Sequence, residues 1–134
     1  MGAMRDASSC FVCSPTNPIG LHVRFAVDGR RVTGEFVPSE LHVGFTGVVH
    51  GGILAALLDD ALAAIGYYQG EETVTARLAV RYRLPARPGQ RLVVVAEETE
   101  RRGAMRQGRA VVTNAGGQVV AEAEATMMRA APGG

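Results

Sequence analysis

The sequence contains no tryptophan, and its aromatic residues make up only 5% of 134 positions. Proteins that bind single-stranded nucleic acid stack bases on exposed aromatic side chains, so this scarcity argues weakly against such a function. Neither sign of charge dominates, because 14 basic residues are balanced by 13 acidic ones and the net charge is +1. We therefore expect no electrostatic field that would attract nucleic acid or a membrane surface.

We also expect neither a signal peptide nor a transmembrane span. The longest apolar run of the sequence, residues 50–65, is too short to cross a bilayer and carries two aspartates. We therefore expect a soluble cytoplasmic protein with no membrane partner. A chain of 134 residues is long enough for one domain with a sizeable core. We expect a flexible lead over residues 1–14 and a loose tail over residues 130–134.

Cysteine is scarce, and both copies, Cys10 and Cys13, lie in one C-x-x-C motif. A four-ligand zinc site built on this motif needs a second pair of ligands, but no second motif follows, and His22 and His42 are isolated. We interpret the two cysteines as free thiols near a mobile terminus. A redox or metal role is the alternative.

Alternating apolar side chains predict strands on both sides of a single helix. The first two strands are joined at Asp28-Gly29, a dipeptide typical of hairpin turns. The helix runs from about residue 51 to residue 65, with Gly66 as its stop. The predicted strands are residues 21–27, 31–37, 74–84, 91–100, 105–113 and 118–128. This order predicts an α+β domain in which a curled antiparallel sheet of five to six strands wraps around one long central helix.

The helical run reads HGGILAALLDDALAAI, and Asp59 and Asp60 are its only strong polar interruptions. A surface helix shows one polar face, whereas a helix that is apolar all round is buried. One sheet covers only part of a helix, so we expect a second subunit to cover the remainder. Carboxylates are seldom buried without a partner or a task, which makes the two aspartates candidates for chemistry.

His50, Gly51 and Gly52 stand at the start of this helix. The first N–H groups of a helix have no internal partner and carry partial positive charge, so they can stabilise a developing oxyanion. The alternative is that the glycines only allow close packing of the helix end. Asp59 follows Gly51 at about 12 Å along the axis, too far for both to act on one carbonyl. Two antiparallel helices across a two-fold axis would bring them together, and the helix alone does not favour Asp59 over Asp60.

The motif HGGILAALLDDAL resembles that of the hotdog-fold acyl-CoA thioesterases of the PaaI-like, phenylacetate-degradation type, which place an aspartate nine residues after the histidine. That position is Asp59 in this chain. The lead CFVCSPTNPIGL is similar to a C-x-x-C…NP-x-GL lead found in part of the family. The stretch VTARLAVRYRLPARPG is similar to its T-x-x-L-x-V-x-[FY]-x-x-P-x-x-x-G strand. The resemblance therefore covers nearly the whole chain.

The resemblance implies a hydrolase that converts an acyl-CoA thioester to a free acid and coenzyme A. It implies that the Gly51 N–H polarises the thioester carbonyl and that Asp59 of the partner subunit attacks it or activates a water. Thr75, sixteen residues after Asp59, would hold that water or the carboxylate, and His50 would orient the carbonyl or brace the loop. It implies no metal or other cofactor, and we expect a homodimer or a dimer of dimers.

Four more residues are candidates for substrate binding: Gly52, Thr46, Arg81 and Arg83. Arginine suits the phosphates of coenzyme A, but the same row of arginines is also typical of the solvated face of a strand. Some relatives carry Asn or Gln six residues before the histidine. This chain has Gly44 there, and Thr46 is the nearby polar side chain.

Two other functions compete with the thioesterase. A non-catalytic acyl-CoA or acyl-carrier binding protein on the same fold needs the pocket without the acid, and Asp59 favours the enzyme over it. A hydratase needs an Asp/His pair in another arrangement, which this motif does not supply. His50 as a simple helix-start residue and Thr75 as a simple strand former are the alternatives to their catalytic roles.

Overall fold

The predicted helix is present as α1 (Gly51–Tyr67), at the centre of the computed structural model, which describes residues 7–130. His50 is its N-cap residue, so the predicted start is confirmed. The predicted stop at Gly66 is wrong, because Gly66 is buried inside the last turn. A Cβ there would lie 3.1 Å from Thr73 Cγ2, so this glycine permits close packing. The chain reverses only at Gly70, whose φ of 78° suits glycine.

Six strands form one antiparallel sheet in the order β1-β2-β4-β5-β6-β3. Their bounds are β1 (Phe25–Asp28), β2 (Arg31–Phe36), β3 (Thr73–Tyr82), β4 (Leu92–Arg102), β5 (Met105–Thr113) and β6 (Val119–Arg129). α1 lies across one face of this sheet and contacts every strand. The predicted α+β plan of a long helix and five to six antiparallel strands is confirmed. None of the helices in residues 7–130 has the length and apolar character needed to span a membrane.

Small side chains on the inner face of the sheet let α1 approach closely. Gly108 on β5 is the tightest point, since a Cβ there would lie 2.8 Å from Leu62 Cδ2 of the helix. On β6, the residues that alternate with the glutamates are buried, as the sequence pattern predicts: Ala121, Ala123 and Ala125. The helix and the sheet therefore share a dense core.

Residues 7–14 pack against the domain, so the flexible lead predicted for residues 1–14 is wrong from residue 7 onward. Val12 is 4% exposed and Ser14 is 2% exposed. The Leu21 N–H donates to the Phe11 carbonyl at 2.9 Å, and the Val23 N–H donates to the Val12 carbonyl at 2.9 Å. Buried apolar side chains and backbone pairing hold this segment in place. Residues 1–6, and residues 131–134 of the predicted tail, lie outside the described residues.

The first strand begins later than the alternation predicts. Leu21 and Val23 are buried as expected, but β1 starts only at Phe25. His22 has a φ of 55°, in the left-handed region, which interrupts extended pairing at this point. The alternation therefore predicted burial correctly and the strand boundary incorrectly.

A buried ion cluster joins the α1–β3 connection to the β4–β5 turn. Arg106 is 4% exposed and donates to Glu71 Oε2 at 2.9 Å and to the Gly103 carbonyl at 2.6 Å. Glu98 lies 3.8 Å from Arg106 and accepts from Arg101 at 3.1 Å. The hydrogen bond from Arg106 is the main reason that the pKa of the Glu71 carboxyl falls below its usual value. The cluster anchors the loop that leads into β3.

Candidate active site

The start of α1 presents a backbone amide with no partner. His50 Nδ1 accepts the Gly52 N–H at 2.8 Å, so the histidine ring caps the helix and the proton of a neutral ring lies on Nε2. The Gly51 N–H, in contrast, donates no hydrogen bond to any residue in the range 7–130. This amide lies at the positive end of the helix dipole and is only partly buried. It is therefore suited to bind an oxygen that gains negative charge.

Close neighbours leave little room for a side chain at either glycine of the motif. A Cβ on Gly52 would lie 3.0 Å from His50 Nδ1 and would disturb the cap. A Cβ on Gly51 would lie 3.3 Å from Cζ of Tyr82, whose hydroxyl donates to the Gly51 carbonyl at 2.8 Å. Tyr82 is absent from the predicted site residues, because the sequence pattern places it in the apolar row of β3. The sequence did contain one indication of this contact. Tyr82 carries a polar hydroxyl in a row of side chains that faces the helix.

The loop before α1 places Gly44 and Thr46 differently. A Cβ on Gly44 would lie 3.3 Å from Cδ2 of His50, so a larger residue at this position would touch the ring. Thr46 is exposed, and its side chain makes no hydrogen bond within the described part of the chain. Gly44 is thus adjacent to the predicted site, whereas the role of Thr46 in substrate binding stays a prediction.

Asp59 lies two turns further along α1 and is partly buried. The Thr75 hydroxyl donates to Asp59 Oδ1 at 2.6 Å, so the structure brings these two predicted residues together. This short hydrogen bond fixes the orientation of the carboxyl group and leaves Oδ2 available. The pairing also excludes the simple interpretation of Thr75 as a strand former without a polar partner.

A β-bulge at Ala76 is what turns Thr75 toward the helix. Thr75 pairs with Met127 and Arg77 with Thr126, so Ala76 is an extra residue opposite β6. In an unbroken strand Thr75 would share a face with Arg77, on the outer side of the sheet. The bulge reverses this alternation. Thr75 therefore joins the side chains that face α1.

Gly51 and Asp59 lie on one uninterrupted helix, so about 12 Å of axis separates them, as the sequence predicts. The face of α1 that contains Asp59 is incompletely covered by the rest of the described chain. It consists of four residues at helical spacing: Gly52, Ala55, Asp59 and Ala63. No single carbonyl can contact both catalytic candidates within one protomer.

Asp60 points to a different neighbourhood from Asp59. Cys10 Sγ donates to Asp60 Oδ1 at 3.4 Å, and the Cys13 N–H donates to Cys10 Sγ at 3.4 Å. Burial is the main reason that the pKa of the Asp60 carboxyl is raised above its usual value. Burial likewise raises the pKa of the Cys13 thiol far above its usual value. The two adjacent aspartates therefore have separate partners.

Arg81 and Arg83 are not brought to Asp59 within this chain. Arg81 pairs with Glu122 in the sheet register, on the face opposite to α1. Arg83 donates to Glu122 Oε1 at 2.7 Å, and this bond is the main reason that the pKa of Glu122 is lowered. Arg81 also borders a shallow concavity of about 400 Å³ on that outer face. A role for either arginine in binding coenzyme A stays a prediction.

The chain matches the model of the thioesterase superfamily over residues 46–121. No curated protein sequence matches it. A solved thioesterase superfamily protein has a TM-score of 0.80 at 27% identity, covering 86% of this chain. This chain spans only 60% of that protein's length. The PaaI protein from the phenylacetic acid degradation operon of E. coli has a TM-score of 0.79 at 19% identity. The match covers 83% of this chain and 81% of the PaaI chain.

A hypothetical thioesterase from Streptococcus pneumoniae, solved with coenzyme A, has a TM-score of 0.77 at 19% identity, covering 81% of this chain and 85% of its own. Two mutants under that name have TM-scores of 0.75 and 0.76 at 20% and 18% identity. Both matches cover 80% of this chain, and they cover 89% and 88% of the two mutant chains. One replaces an aspartate and the other a threonine sixteen residues later.

These likenesses agree with the family resemblance that the motifs around His50 and Thr75 carry and with the observed architecture. The matched range begins in the loop before α1, includes β3, β4 and β5, and ends in β6. It therefore contains the helix start, Asp59 and Thr75. The chain belongs to the thioesterase superfamily, and its curled antiparallel sheet around one long helix is the hotdog fold of the PaaI-like thioesterases.

Proposed function

We propose that the protein is an acyl-CoA thioesterase that hydrolyses its substrate to a free acid and coenzyme A. The observation that carries this proposal is the carboxylate of Asp59, held by Thr75 at 2.6 Å on an incompletely covered face of a helix whose first amide is unpaired within residues 7–130. A structure of the S. pneumoniae thioesterase with coenzyme A supports the same class of substrate. The aspartate and threonine chosen for mutation there have the spacing of Asp59 and Thr75.

In the proposed reaction the thioester carbonyl oxygen accepts the Gly51 N–H. Asp59 Oδ2 takes a proton from a water as the water oxygen adds to the carbonyl carbon, and the negative charge moves to the carbonyl oxygen. The tetrahedral intermediate then expels the thiolate of coenzyme A, which receives the proton from Asp59. Direct attack by Asp59, followed by hydrolysis of the mixed anhydride, gives the same products. In both routes Thr75 orients the carboxylate through Oδ1.

The proposed site needs two subunits. Gly51 and Asp59 are too far apart in one protomer, and two antiparallel copies of α1 bring the amide of one beside the carboxylate of the other. Gly52, Ala55 and Ala63 flank Asp59 with small side chains, which allows a second helix to approach. β3 supports the same arrangement, because it pairs only with β6 and its other edge is unpaired within residues 7–130. We propose a homodimer, or a dimer of dimers, as the active form.

Release of free thiol from a panel of acyl-CoA esters tests this function. We expect Asp59→Asn to lower kcat by about 100-fold or more while the protein stays folded, the usual scale for losing a general base or nucleophile. Asp60→Asn is the matched control, because it changes the adjacent carboxylate, which faces Cys10, and we expect a much smaller loss.

Near-normal turnover by Asp59→Asn would contradict the assigned role, and equal losses in the two variants would mean that both acids act together. Binding of acyl-CoA esters by the wild type without thiol release from any of them would favour the non-catalytic binding protein instead.

A further inference from the structure

We propose that Cys10, Cys13 and Asp60 form a binding site for one zinc ion, separate from the thioesterase site. The C-x-x-C motif supplies two ligands, and Asp60, fifty residues later on α1, supplies the third. The two sulfur atoms and a carboxylate oxygen lie within 4.8 Å of one another. This third ligand comes from a helix, so a search for a second cysteine or histidine motif does not find it.

The separation of these atoms fits tetrahedral zinc. With Zn–S near 2.3 Å and Zn–O near 2.0 Å, two ligands at a tetrahedral angle are about 3.5 Å apart. Cys10 Sγ and Asp60 Oδ1 are 3.4 Å apart. The remaining atoms need to move by about 1 Å or less to complete the coordination geometry.

The turn that carries the cysteines is already shaped for an anionic sulfur. The Cys13 N–H donates to Cys10 Sγ at 3.4 Å, and the Ser14 N–H donates to the Cys10 carbonyl at 3.0 Å. The first bond stabilises negative charge on the Cys10 sulfur, and the second closes the turn around it. Such hydrogen bonds to metal ligands orient them and strengthen binding.

No side chain in residues 7–130 supplies positive charge to this cluster. Asp60 forms no ion pair there, and its hydrogen-bond donors are thiols, which are weak. A divalent cation supplies the missing charge, and its binding releases the two thiol protons to solvent. Two thiolates and one carboxylate give the complex a net charge of −1. The soft sulfur ligands favour zinc over magnesium or calcium.

A cavity of about 180 Å³ borders the cluster and is lined further by Tyr67, Tyr68 and Glu71. Three ligands from the described chain leave the fourth position of a tetrahedral ion to a water from this cavity. Bound zinc would fix the segment of residues 7–14 to α1 through Asp60, whose side chain leaves the helix about 100° round the axis from Asp59. Because Asp59 is held by Thr75 and not by this cluster, the ion acts on stability and is not a ligand of the proposed catalytic acid.

Metal titration of the full-length protein without a histidine tag, kept reduced, tests the site. We expect one zinc per chain, and with cobalt the sulfur-to-metal charge-transfer band and the strong visible bands of a tetrahedral thiolate complex. Cys10→Ser, Cys13→Ser and Asp60→Asn should each weaken zinc binding by about 100-fold or more, since losing even an outer partner of a ligand costs about 10–100-fold. Asp59→Asn is the matched control and should bind zinc like the wild type.

Thermal unfolding with and without zinc provides a second measurement. Zinc should raise the Tm of the wild type and of Asp59→Asn and leave that of Asp60→Asn unchanged, because only a folded protein with all ligands is stabilised by binding. If Asp60→Asn does not fold, Cys13→Ser replaces it, since it removes one sulfur and keeps the backbone bond. Wild-type binding no tighter than that of Asp60→Asn or of Cys13→Ser, or a cobalt spectrum without the sulfur band, would overturn the proposal.

Discussion

The hydrogen bond between Thr75 and Asp59 is the contact on which the proposed chemistry depends most directly. Thr75→Val keeps the shape of the side chain and removes the donor. Hydrogen bonds to charged groups contribute about 1.5–3 kcal/mol, so we expect kcat to fall by about 10–100-fold. Thr75→Ser keeps the hydroxyl and should retain most of the activity. Thiol-release kinetics on both variants check this, and equal losses from Val and Ser would show that the hydroxyl is not the important group.

Residue by residue, the sequence predicted the proposed site in part. Asp59 and Thr75 follow from motif spacing, and Gly51 follows from the physics of helix starts. Tyr82 was missed, because alternation assigns it to an apolar row and says nothing about the reach of its hydroxyl to Gly51. The contact between Cys10 and Asp60 was missed because a separation of fifty residues leaves no local pattern.

At the scale of elements, the ion cluster behind β3 supports the loop that leads into it. Glu71→Gln removes the charge that Arg106 binds. We expect the free energy of unfolding to fall by on the order of 2 kcal/mol, less than for a fully buried pair, because Arg106 keeps its bonds to the Gly103 and Met105 carbonyls. Glu35→Gln is the control, since Glu35 pairs with Arg91 in an exposed position and should change stability little.

The cluster also gives a pH dependence with a definite sign. The hydrogen bond from Arg106 lowers the pKa of Glu71 in the folded protein. The ionised Glu71 therefore contributes its full stabilisation to the fold above the unfolded-state pKa of 4.5 and loses it as the pH falls through the lower folded-state pKa. We therefore expect the wild type to have a higher free energy of unfolding than Glu71→Gln at about pH 7, and this difference to be smaller at about pH 3. Urea denaturation at both pH values measures it. A difference in the free energy of unfolding that is the same at both pH values would mean that Glu71 acts through packing alone.

The elements themselves were predictable to different degrees. β5 coincides with the predicted strand at residues 105–113, because alternation and a turn define both of its ends. The start of β1 and the end of α1 were wrong. At His22 a left-handed backbone interrupts a correct burial pattern, and at Gly66 the glycine serves packing against Thr73. Local sequence does not show whether a residue such as His22 continues a strand or leaves it. It also does not show whether a glycine such as Gly66 ends a helix or allows close packing inside it.

At the scale of the whole molecule, mixing two inactive variants tests whether each site takes residues from two subunits. Gly51→Pro removes the amide donor at a helix position that accepts proline, and His50, with φ −60° and ψ 132°, already has the conformation proline requires before it. Asp59→Asn removes the acid. Random reassembly of the two gives one intact site in each mixed dimer, so about a quarter of wild-type activity should return.

Gly51→Ala is the control, because it keeps the N–H and the nearest atoms to its added Cβ are those of Tyr82, at 3.3–3.4 Å. If the mixture recovers no activity although mixed dimers form, the two residues belong to the same chain's site. The apolar character of α1 predicts a second subunit, which stays a prediction, and the incompletely covered face around Asp59 is where we propose that it packs. The arrangement of the subunits is a property of surfaces, which sequence periodicity does not encode.

The extra residue in β3 makes the site sensitive to chain length in a way that substitution cannot reproduce. Removing one residue between Thr75 and Arg77 would restore plain alternation and exchange the faces of residues 73–75. Thr75 would then point away from Asp59, although every residue that remains in the strand keeps its identity. Replacing Ala76 by another residue leaves the count, and so the orientation, intact. A scan of point mutants would therefore pass over Ala76, while a one-residue deletion there would separate the threonine from the acid.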